Sequence, residues 1–347
     1  SASFGTEEMG GTEAALKALV TGGGGFVGRY VVEQLLERGD EVIVFTRGAY
    51  PELTKMGVTV IRGDLSDEAA VVEAFQGIEC VFHVAAKAGA WGDYDDFYNT
   101  NVRGTKNVIT ACRKNSIRKL VNCSSPSVIF DNKAHEGVDE DYPYPETYEC
   151  PYPQTKAYGE QLVYLANDEE LMTVTLRPHL IIGPRDRHLL PQVLAAAKGG
   201  TLPQVGNATN YVDLSYVEDV ARAHLLAADK LKPGSPVPGS IYFISQDEPV
   251  NLWPWLRNLL NRTGYPEPKF AISLGFARFV AGIMEWFYKT FVPKGTPKLT
   301  RFLASELALS HYYDINAAKR DLGYRPSKTM KEVEDIVVQW VNDGMPG

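Results

Sequence analysis

A chain of 347 residues with 44% apolar side chains is long enough for one large α/β domain or two smaller ones. Its formal net charge of −8 excludes the basic surface excess that nucleic-acid binding requires, so we expect no nucleic-acid partner. The four cysteines lack C-x-x-C spacing, and residues 1–15 show no basic and apolar leader pattern, so we expect a cytoplasmic protein that begins with a flexible tail.

Strands and helices alternate along the first half of the chain, beginning with an apolar strand at 18–20 and an amphipathic helix from residue 26. Further strands are predicted at 41–46, 58–61, 80–84, 119–123 and 172–176, and further helices at 67–75, 94–115 and 152–167. This alternation predicts a parallel, doubly wound α/β sheet of the Rossmann type with helices on both faces. After residue 178 helical stretches dominate, and we expect the chain to return to the sheet at 211–228 and at 241–245.

Four consecutive glycines separate the first strand from its helix. Gly22, Gly25 and Gly28 fit the pattern G-x-x-G-x-x-G, and Gly23, Gly25 and Gly28 also fit G-x-G-x-x-G. Glycine lets the strand turn sharply, lets the backbone approach a pyrophosphate, and lets the helix pack closely on the strand. The helix N-terminus then offers free N–H groups to the phosphates. Placed between a strand and a helix, the run predicts a dinucleotide site.

Tyr152 and Lys156 form a Tyr-x-x-x-Lys pair on a predicted helix. Because residues four apart share one helix face, the ammonium group can lower the pKa of the phenol and make it a usable acid or base. When such a pair occurs alone, its members are more often exposed helix residues without a catalytic role. Here the dinucleotide-binding pattern earlier in the chain favours a catalytic role. Ser124 and Ser125 follow a predicted strand, where a hydroxyl can orient a substrate oxygen or simply cap a turn.

Motifs along residues 16–330 together resemble the extended short-chain dehydrogenases/reductases. They are Thr21-Gly22-x-x-Gly25-Phe26-x-Gly28, Asp64-Leu65, Asn101-Val102-x-Gly104-Thr105, Ser124-Ser125, Tyr152-x-x-x-Lys156 and Arg177-Pro178. Within that superfamily, the segments 124–128, 152–156 and 177–186 are similar to the 3β-hydroxysteroid dehydrogenase branch.

The resemblance implies roles for individual residues. Tyr152 is implied as the acid/base, Lys156 as its partner, and Ser125 or Ser124 as the hydroxyl that orients the substrate. The implied cofactor-binding residues are Gly22, Gly25, Phe26 and Val27 at the pyrophosphate, Asp64 and Leu65 beside the adenine, Ala85 and Ala86 along the middle, and Tyr152 and Lys156. The cofactor itself carries the hydride.

The second strand ends in Phe45-Thr46-Arg47, without the acid that family members using NAD carry there for the ribose 2′-hydroxyl. Arg47 can pair with a 2′-phosphate, or it can be a solvated loop arginine. We therefore predict NADP(H) as the preferred cofactor and NAD(H) as the alternative. The histidines show no metal-ligand spacing, so we predict no metal site.

The expected domains follow from these motifs. Residues 16–180 and 211–246 form the dinucleotide-binding domain in this prediction. Residues 181–210 and 247–330 form a smaller, mostly helical substrate-binding lobe over the carboxyl ends of the strands, where α/β sheets bind ligands. Residues 331–347 form a C-terminal helix and tail.

Residues 270–292 are almost entirely apolar apart from Arg278, Glu285 and Lys289, which share one narrow stripe of a helix. Three charges argue against a membrane-spanning helix. Two interpretations stay open. The helix packs within the substrate lobe or a homodimer interface, or it lies in a membrane surface as a peripheral contact that delivers a lipid-like substrate.

The resemblance implies hydride transfer between NADP(H) and a 3-oxo/3-hydroxy group of a large apolar substrate, with a β-oxo acid of the 2-alkyl-3-oxoalkanoate type as the leading candidate. A 3β-hydroxysteroid or sterol-4α-carboxylate 3-dehydrogenase is the alternative, and a nucleotide-sugar epimerase is more distant. Lys87 either grips the substrate carboxylate or is a surface lysine. A non-catalytic NADP-sensing protein is the alternative from another class, disfavoured by the retained Tyr152 and Lys156.

Overall fold

The computed structural model describes residues 15–292 and 294–346, so the tail predicted for residues 1–15 lies outside the described residues, apart from its last residue. The strands are β1 (Lys17–Thr21), β2 (Glu41–Thr46), β3 (Thr59–Arg62), β4 (Cys80–His83), β5 (Lys119–Cys123), β6 (His135–Val138), β7 (Met172–Pro178), β8 (Ile181–Ile182), β9 (Gln204–Val205), β10 (Tyr211–Val212), β11 (Ser215–Tyr216), β12 (Ser240–Ile244), β13 (Val250–Asn251), β14 (Ala271–Ile272) and β15 (His311–Tyr313).

The α-helices alternate with the strands in the first half of the chain. They are α1 (Phe26–Arg38), α2 (Pro51–Lys55), α3 (Glu68–Ala74), α4 (Tyr94–Tyr98), α5 (Gly104–Lys114), α6 (Pro151–Leu165), α7 (Leu189–Lys198), α8 (Val217–Lys230), α9 (Leu252–Arg262), α10 (Leu274–Phe291), α11 (Arg301–Ala308) and α12 (Met330–Asn342). A π-helical turn (Asn99–Arg103) joins α4 to α5, so the single helix predicted at 94–115 is continuous but locally widened.

Seven parallel strands form the central sheet in the order β3-β2-β1-β4-β5-β7-β12, as the doubly wound prediction requires. Successive side chains of β1 enter different cores because strand residues alternate between faces. Ala18 and Val20 pack with the apolar residues of α1 and α8, whereas Leu19 packs with those of α3 and α5. Burial on both faces explains why these strands are apolar throughout. The strand order reverses between β1 and β4, which opens a crevice at their carboxyl ends.

A second sheet of four strands, β13-β10-β15-β6, lies outside the central sheet. The return to the central sheet predicted at 211–228 is wrong for its strand, because Val212 pairs with Val250 and with His311. The place beside β7 is taken by the longer strand β12, which confirms the return predicted at 241–245. The helix α8 does pack against the central sheet, next to α1.

The charged stripe predicted within 270–292 lies on α10, and two of its three members face the protein. Arg278 is paired with Glu149. Glu285 accepts hydrogen bonds from the amide and the guanidinium of Arg301 at 2.7 and 2.8 Å. The Glu285 contacts fasten α10 to α11, and the Arg278 contact fastens it to the segment before α6.

The apolar side of α10 therefore faces solvent. Its exposed residues, each between 46% and 65% accessible, are Phe276, Phe279, Ile283, Trp286, Phe287 and Phe291. None of the helices in the described ranges combines the length and the hydropathy that a bilayer crossing requires.

Candidate active site

A cleft of about 870 Å³ lies at the carboxyl ends of the central strands, where the strand order reverses. Every residue predicted to bind the cofactor lines this cleft, and so does Ser125. These residues are Gly22, Gly25, Phe26, Val27, Arg47, Asp64, Leu65, Ala85, Ala86, Tyr152 and Lys156. The structure thus brings the predicted residues into one space, and their contact with a cofactor stays a prediction.

The turn between β1 and α1 has no room for side chains at its key glycines. Gly22 has a φ of +70°, and a Cβ atom there would lie 2.8 Å from the Cα atom of Ala85. A Cβ atom on Gly28 would lie 2.2 Å from the carbonyl oxygen of Gly22. Helix α1 begins at Phe26 without a side-chain cap, so its first N–H groups are left for a ligand. The turn therefore fits a pyrophosphate.

A buried hydrogen-bond chain fixes the strand ends beneath the cleft. The hydroxyl of Thr105 donates to the carbonyl of Asn101 at 2.7 Å, so it accepts from Nε2 of His83 at 2.9 Å. The neutral ring then accepts through Nδ1 from the hydroxyl of Thr21 at 2.8 Å, and Thr21 accepts from the amide of Ala85 at 3.2 Å. Burial lowers the pKa of His83 to about 3, which keeps the ring neutral.

The amide side chain of Asn101 links the loop after β4 to helix α6. Its Oδ1 accepts from the backbone N–H of Lys87 at 2.8 Å. Its Nδ2 donates to the Lys87 carbonyl and to the hydroxyl of Thr155, both at 3.0 Å. Because Asn101 lies in the widened turn between α4 and α5, that irregularity positions α6, which carries Tyr152.

The predicted adenine end of the cleft is formed after β2 and β3. Asp64 accepts hydrogen bonds from the amide and hydroxyl of Ser66, which hold the pKa of its carboxyl below the usual value, with a smaller effect of the Arg47 charge. The side-chain amide of Asn107 donates to the carbonyl of Leu65 at 2.8 Å and fixes that residue. Arg47 itself is exposed at the edge of the cleft, where its guanidinium can reach a ligand.

Tyr152 lies in the first turn of α6, and its phenol faces Ser125. Burial raises the pKa of the phenol to about 12, and the hydrogen bond with Ser125 opposes part of that rise. Ser125 is held in place because its Oγ accepts from the amide of Ser127 at 3.2 Å and from its hydroxyl at 3.0 Å. The structure thus joins the predicted acid/base to the predicted orienting hydroxyl.

Lys156 is buried one turn after Tyr152, and its Nζ donates to the carbonyl of Cys123 at 2.7 Å. Burial lowers the pKa of this ammonium group. Desolvation is the largest influence on the phenol and raises the pKa of Tyr152, so the net direction is opposite to the lowering that the helical spacing suggested. The buried ammonium nevertheless lines the cleft, where a ribose hydroxyl can accept from it.

Lys87 is a surface residue in the structure. Its Nζ is paired with Asp96 at 2.7 Å and lies 5.2 Å from the centre of the Phe97 ring. It is not among the residues that line the cleft. Among those lining residues the lysine and arginine side chains are Arg47 and Lys156. Among the described residues, Lys156 is therefore the ammonium group that lines the cleft beside Tyr152, and one of its protons is bonded to the Cys123 carbonyl.

The cleft has two walls, which we call the strand-end wall and the lobe wall. The strand-end wall comprises its lining residues from 22 to 156. The lobe wall comprises Pro178, His179, Leu180, Ile181, Asp186, His188, Leu189, Gln192, Phe302 and Glu306. Sequence reasoning missed Phe302 and Glu306, because a short helix far along the chain carries no signal that it reaches the cleft. His179 gave a weak signal, since it follows the Arg177-Pro178 motif.

The lobe wall also gathers two histidines that are distant in the sequence. His179 Nε2 and His311 Nδ1 lie 2.6 Å apart, and with a Glu306 carboxylate oxygen their nitrogen atoms fall within 4.8 Å of one another. His311 Nε2 must donate to the carbonyl oxygen of Glu306, 2.8 Å away, because a carbonyl only accepts. Hydrogen bonds thus occupy both nitrogens of His311 and Nε2 of His179.

Comparisons with known proteins identify the family of the chain. Residues 19–274 match the model of the 3-beta hydroxysteroid dehydrogenase/isomerase family. The chain is 46% identical to a 2-alkyl-3-oxoalkanoate reductase of Stenotrophomonas maltophilia, over 91% of this chain and 97% of the relative. It is 35% identical to a mouse (Mus musculus) protein named sterol-4-alpha-carboxylate 3-dehydrogenase, decarboxylating, over 94% and 91% of the two chains.

The fold has solved counterparts. A UDP-glucuronic acid 4-epimerase from Bacillus cereus, solved with NAD, superposes with a TM-score of 0.72 at 21% identity over 95% of this chain and all of that one. Such a likeness shows the shared Rossmann-type fold alone. The family match and the relatives go further, because they cover most of the chain. The chain belongs to the 3-beta hydroxysteroid dehydrogenase/isomerase family.

Proposed function

We propose that the protein is an NADP(H)-dependent oxidoreductase that interconverts the 3-oxo and 3-hydroxy groups of a large apolar acid, a 2-alkyl-3-oxoalkanoate. The observation that carries this proposal is that Tyr152, Ser125 and the glycine turn line one cleft. The relative with 46% identity supports the substrate class. A sterol-4α-carboxylate 3-dehydrogenase is the second candidate, supported by the relative with 35% identity. Both substrates carry an oxygen at C3 beside a carboxylate.

In this proposal the cofactor, when bound, donates or accepts the hydride. Ser125 holds the C3 oxygen, and Tyr152 exchanges a proton with it. Because burial raises the pKa of Tyr152 to about 12, the phenol is protonated at neutral pH and ready to donate in the reductive direction. Oxidation needs the phenol to lose its proton, so it is favoured as the pH rises.

Replacing Tyr152 by phenylalanine tests the chemistry. We expect kcat to fall about 1,000-fold in the Tyr152→Phe variant, because the proton donor is lost while the ring stays. The matched control is Tyr164→Phe, which changes a tyrosine of the same helix that is 54% exposed. Equal activity in both variants would refute the proposed role. Assays with 2-alkyl-3-oxoalkanoates and with 3-hydroxysteroids separate the two candidate substrates.

We propose NADP(H) over NAD(H) because Arg47 is exposed at the cleft edge near Asp64, without an acid at the end of β2. In the Arg47→Ala variant we expect kcat/KM with NADPH to fall about tenfold, the loss of one charged contact, and kcat/KM with NADH to change little. The control is Arg103→Ala, an exposed arginine that does not line the cleft. A wild-type preference for NADH would refute the assignment.

We propose the division of the chain that the sequence predicts, in which 181–210 and 247–330 form the substrate-binding lobe and 331–347 form a C-terminal helix and tail. Two observations support it. Strand β9 pairs with β14 across these two segments, and α11 supplies Phe302 and Glu306 to the lobe wall. The binding site for the apolar substrate is therefore proposed to lie between the lobe wall and Tyr152.

We propose that the apolar side of α10 contacts a membrane surface. The side is continuous and aromatic, and the exposed Lys289 and Lys294 lie at its C-terminal end, where they can pair with anionic lipid headgroups. Helix α10 also packs on α11, which lines the cleft, so membrane contact would place the cleft near its lipid-like substrate. The four cysteines are free, which supports a cytoplasmic location for the protein at that surface.

Sedimentation with phosphatidylcholine–phosphatidylserine vesicles tests this contact. We expect the wild type to pellet and a Phe279→Ser, Trp286→Ser variant to stay in solution. The matched control is Tyr164→Ser, Leu165→Ser, which removes two exposed apolar residues of α6. Failure of the wild type to pellet would refute membrane contact. The homodimer expected from the sequence stays a prediction. Light scattering tests it: a dimeric wild type and a monomeric Phe279→Ser, Trp286→Ser variant would show that the apolar side of α10 binds a second copy of the chain instead of a membrane.

A further inference from the structure

Glu306 is a carboxyl group of the lobe wall that the proposed chemistry does not use. It lies one helical turn after Phe302 on α11, and both side chains line the cleft that contains Tyr152. Its side chain is 16% exposed, and its Oε2 lies 3.9 Å from Nε2 of His311. No hydrogen bond to its carboxyl oxygens is found among the described residues. Glu306 therefore presents an unpartnered carboxyl to the cleft.

Asp186, the other acid of the lobe wall, is different. Its two oxygens accept hydrogen bonds from the backbone amides of residues 188, 189 and 190 at 2.7, 3.1 and 2.8 Å. These bonds cap the start of α7, so Asp186 has a structural partner for its charge. Glu306 has no such partner, because His311 donates to its backbone carbonyl instead.

The groups that face Glu306 come from three elements. Tyr152 and Cys150 lie at the start of α6, and His311 and Tyr313 lie on β15. His179, at the end of β7, reaches Glu306 through its hydrogen bond with His311. Burial raises the pKa of both Tyr152 and Cys150, so neither supplies a charge at neutral pH.

Two further effects act on the Glu306 carboxyl itself. Burial raises its pKa, and His311 opposes that rise in part. The charge of ionised Glu306 in turn raises the pKa of Tyr152, which places this carboxyl within electrostatic reach of the reacting phenol. Burial thus shifts Glu306 toward its protonated form, and only that form is a hydrogen-bond donor.

We propose that the protonated carboxyl of Glu306 donates a hydrogen bond to the carboxylate of the substrate, so that the two acids share one proton beside Tyr152. This inference rests on the proposed function. In a β-oxo acid only one carbon separates the carbonyl carbon from the carboxylate, so a C3 oxygen held by Tyr152 and Ser125 brings the carboxylate to the same part of the cleft. Lys156 donates one of its protons to the Cys123 carbonyl, and a cofactor ribose hydroxyl is expected to accept another. Two neighbouring carboxyl groups cannot both ionise without strong repulsion, so a shared proton is the stable arrangement.

Glu306→Gln and Glu306→Ala test the proposal with a 2-alkyl-3-hydroxyalkanoate and its methyl ester, both oxidised with NADP⁺. The hydroxy acid is used because, unlike the oxo acid, it does not lose CO₂. The measured quantity is the ratio of kcat/KM for the acid to kcat/KM for the ester. We expect this ratio to fall about tenfold in Glu306→Ala, which lacks a donor, and to fall much less in Glu306→Gln, which keeps an N–H donor. The matched control is Glu73→Gln, an exposed glutamate of α3.

The pH dependence separates a hydrogen-bonding role from a packing role. In the wild type the ratio should fall as the pH rises through the pKa of Glu306, because an ionised Glu306 repels the acid and not the ester. In Glu306→Gln the ratio should be flat over the same range. An unchanged ratio in both variants, or an equal pH dependence in wild type and Glu306→Gln, would overturn the proposal. Oxidation of the ester but not the acid would overturn it while leaving the hydride chemistry intact. If neither is oxidised, the proposed function fails as well.

Discussion

The two walls of the cleft are built in different ways. The strand-end wall consists of short segments that each follow a strand of the central sheet, and its shape is set by backbone turns and buried hydrogen bonds such as the chain through His83. The lobe wall consists of side chains from β7, α7 and α11, and the helix α11 is fastened to α10 by the Glu285–Arg301 pair. The strand-end wall therefore suits a ligand of fixed shape such as the cofactor. The lobe wall can bind different substrates when its side chains are substituted.

The largest expected effect on cofactor affinity comes from the backbone of the strand-end wall. In Gly28→Ala the new Cβ meets the Gly22 carbonyl oxygen at 2.2 Å, so the turn or the helix must move. We expect NADPH affinity, measured by fluorescence titration, to fall at least about 100-fold, or about 3 kcal/mol. Gly275→Ala is the matched control, because a Cβ there meets nothing within 4 Å. Unchanged NADPH affinity in Gly28→Ala would show that the turn is not the cofactor site.

The second expected effect is a loss of folding stability at acid pH. The pKa of His83 is about 3 in the folded protein and about 6.5 when unfolded, so only the unfolded chain takes up this proton as the pH falls below 6.5. His83 therefore contributes stability that is complete above about pH 6.5 and is lost progressively toward pH 3. Between pH 7 and pH 5 we expect the free energy of unfolding to fall by about 2 kcal/mol from this residue alone.

Urea unfolding of His83→Gln at the two pH values measures that contribution. The variant keeps an N–H donor and a carbonyl acceptor but does not titrate, so its stability should fall less between pH 7 and pH 5 than that of the wild type. The control is His188→Gln, which removes an exposed histidine. A pH dependence in His83→Gln equal to that of the wild type would contradict the assignment of acid sensitivity to the strand-end wall.

The smallest expected effect concerns the lobe wall. Phe302 lines the cleft and packs edge-on against Phe130, with ring centres 5.7 Å apart. In Phe302→Ala we expect KM for a long-chain substrate to rise about tenfold, because apolar contact is lost, while NADPH affinity changes little. Leu303→Ala is the control on the same helix, since its side chain is 37% exposed. If Phe302→Ala weakened substrate and NADPH binding equally, the two walls would not bind separate ligands.

Much of the strand-end wall was predictable because its residues are close in sequence to strands of one sheet. Gly22, Asp64 and Ala85 each follow a strand, and the carboxyl ends of parallel strands meet at one edge. The direction of the Tyr152 pKa was not predictable in the same way. Helical spacing alone suggested that Lys156 lowers it, but the depth of burial decides the balance, and burial depends on the whole fold.

The orientation of α10 was also beyond the sequence. Its pattern showed one charged stripe on an apolar helix, and the usual expectation is that such a stripe faces water. In the structure Arg278 and Glu285 face partners from other segments, Glu149 and Arg301, and the aromatic residues face outward. Helix α12 has the ordinary arrangement, because its apolar residues pack in the core and Lys331 and Asp335 pair on its surface.

Local sequence patterns were enough to predict the alternating α/β order, the glycine turn and the Tyr152–Lys156 spacing, because each depends on residues that are neighbours along the chain or along one helix. The shared wall of His179, Phe302 and Glu306, in contrast, depends on long-range packing. These residues come from elements separated by more than a hundred positions, and no local periodicity records which side chains meet. The carboxyl of Glu306 owes its place, and its raised pKa, to that long-range packing.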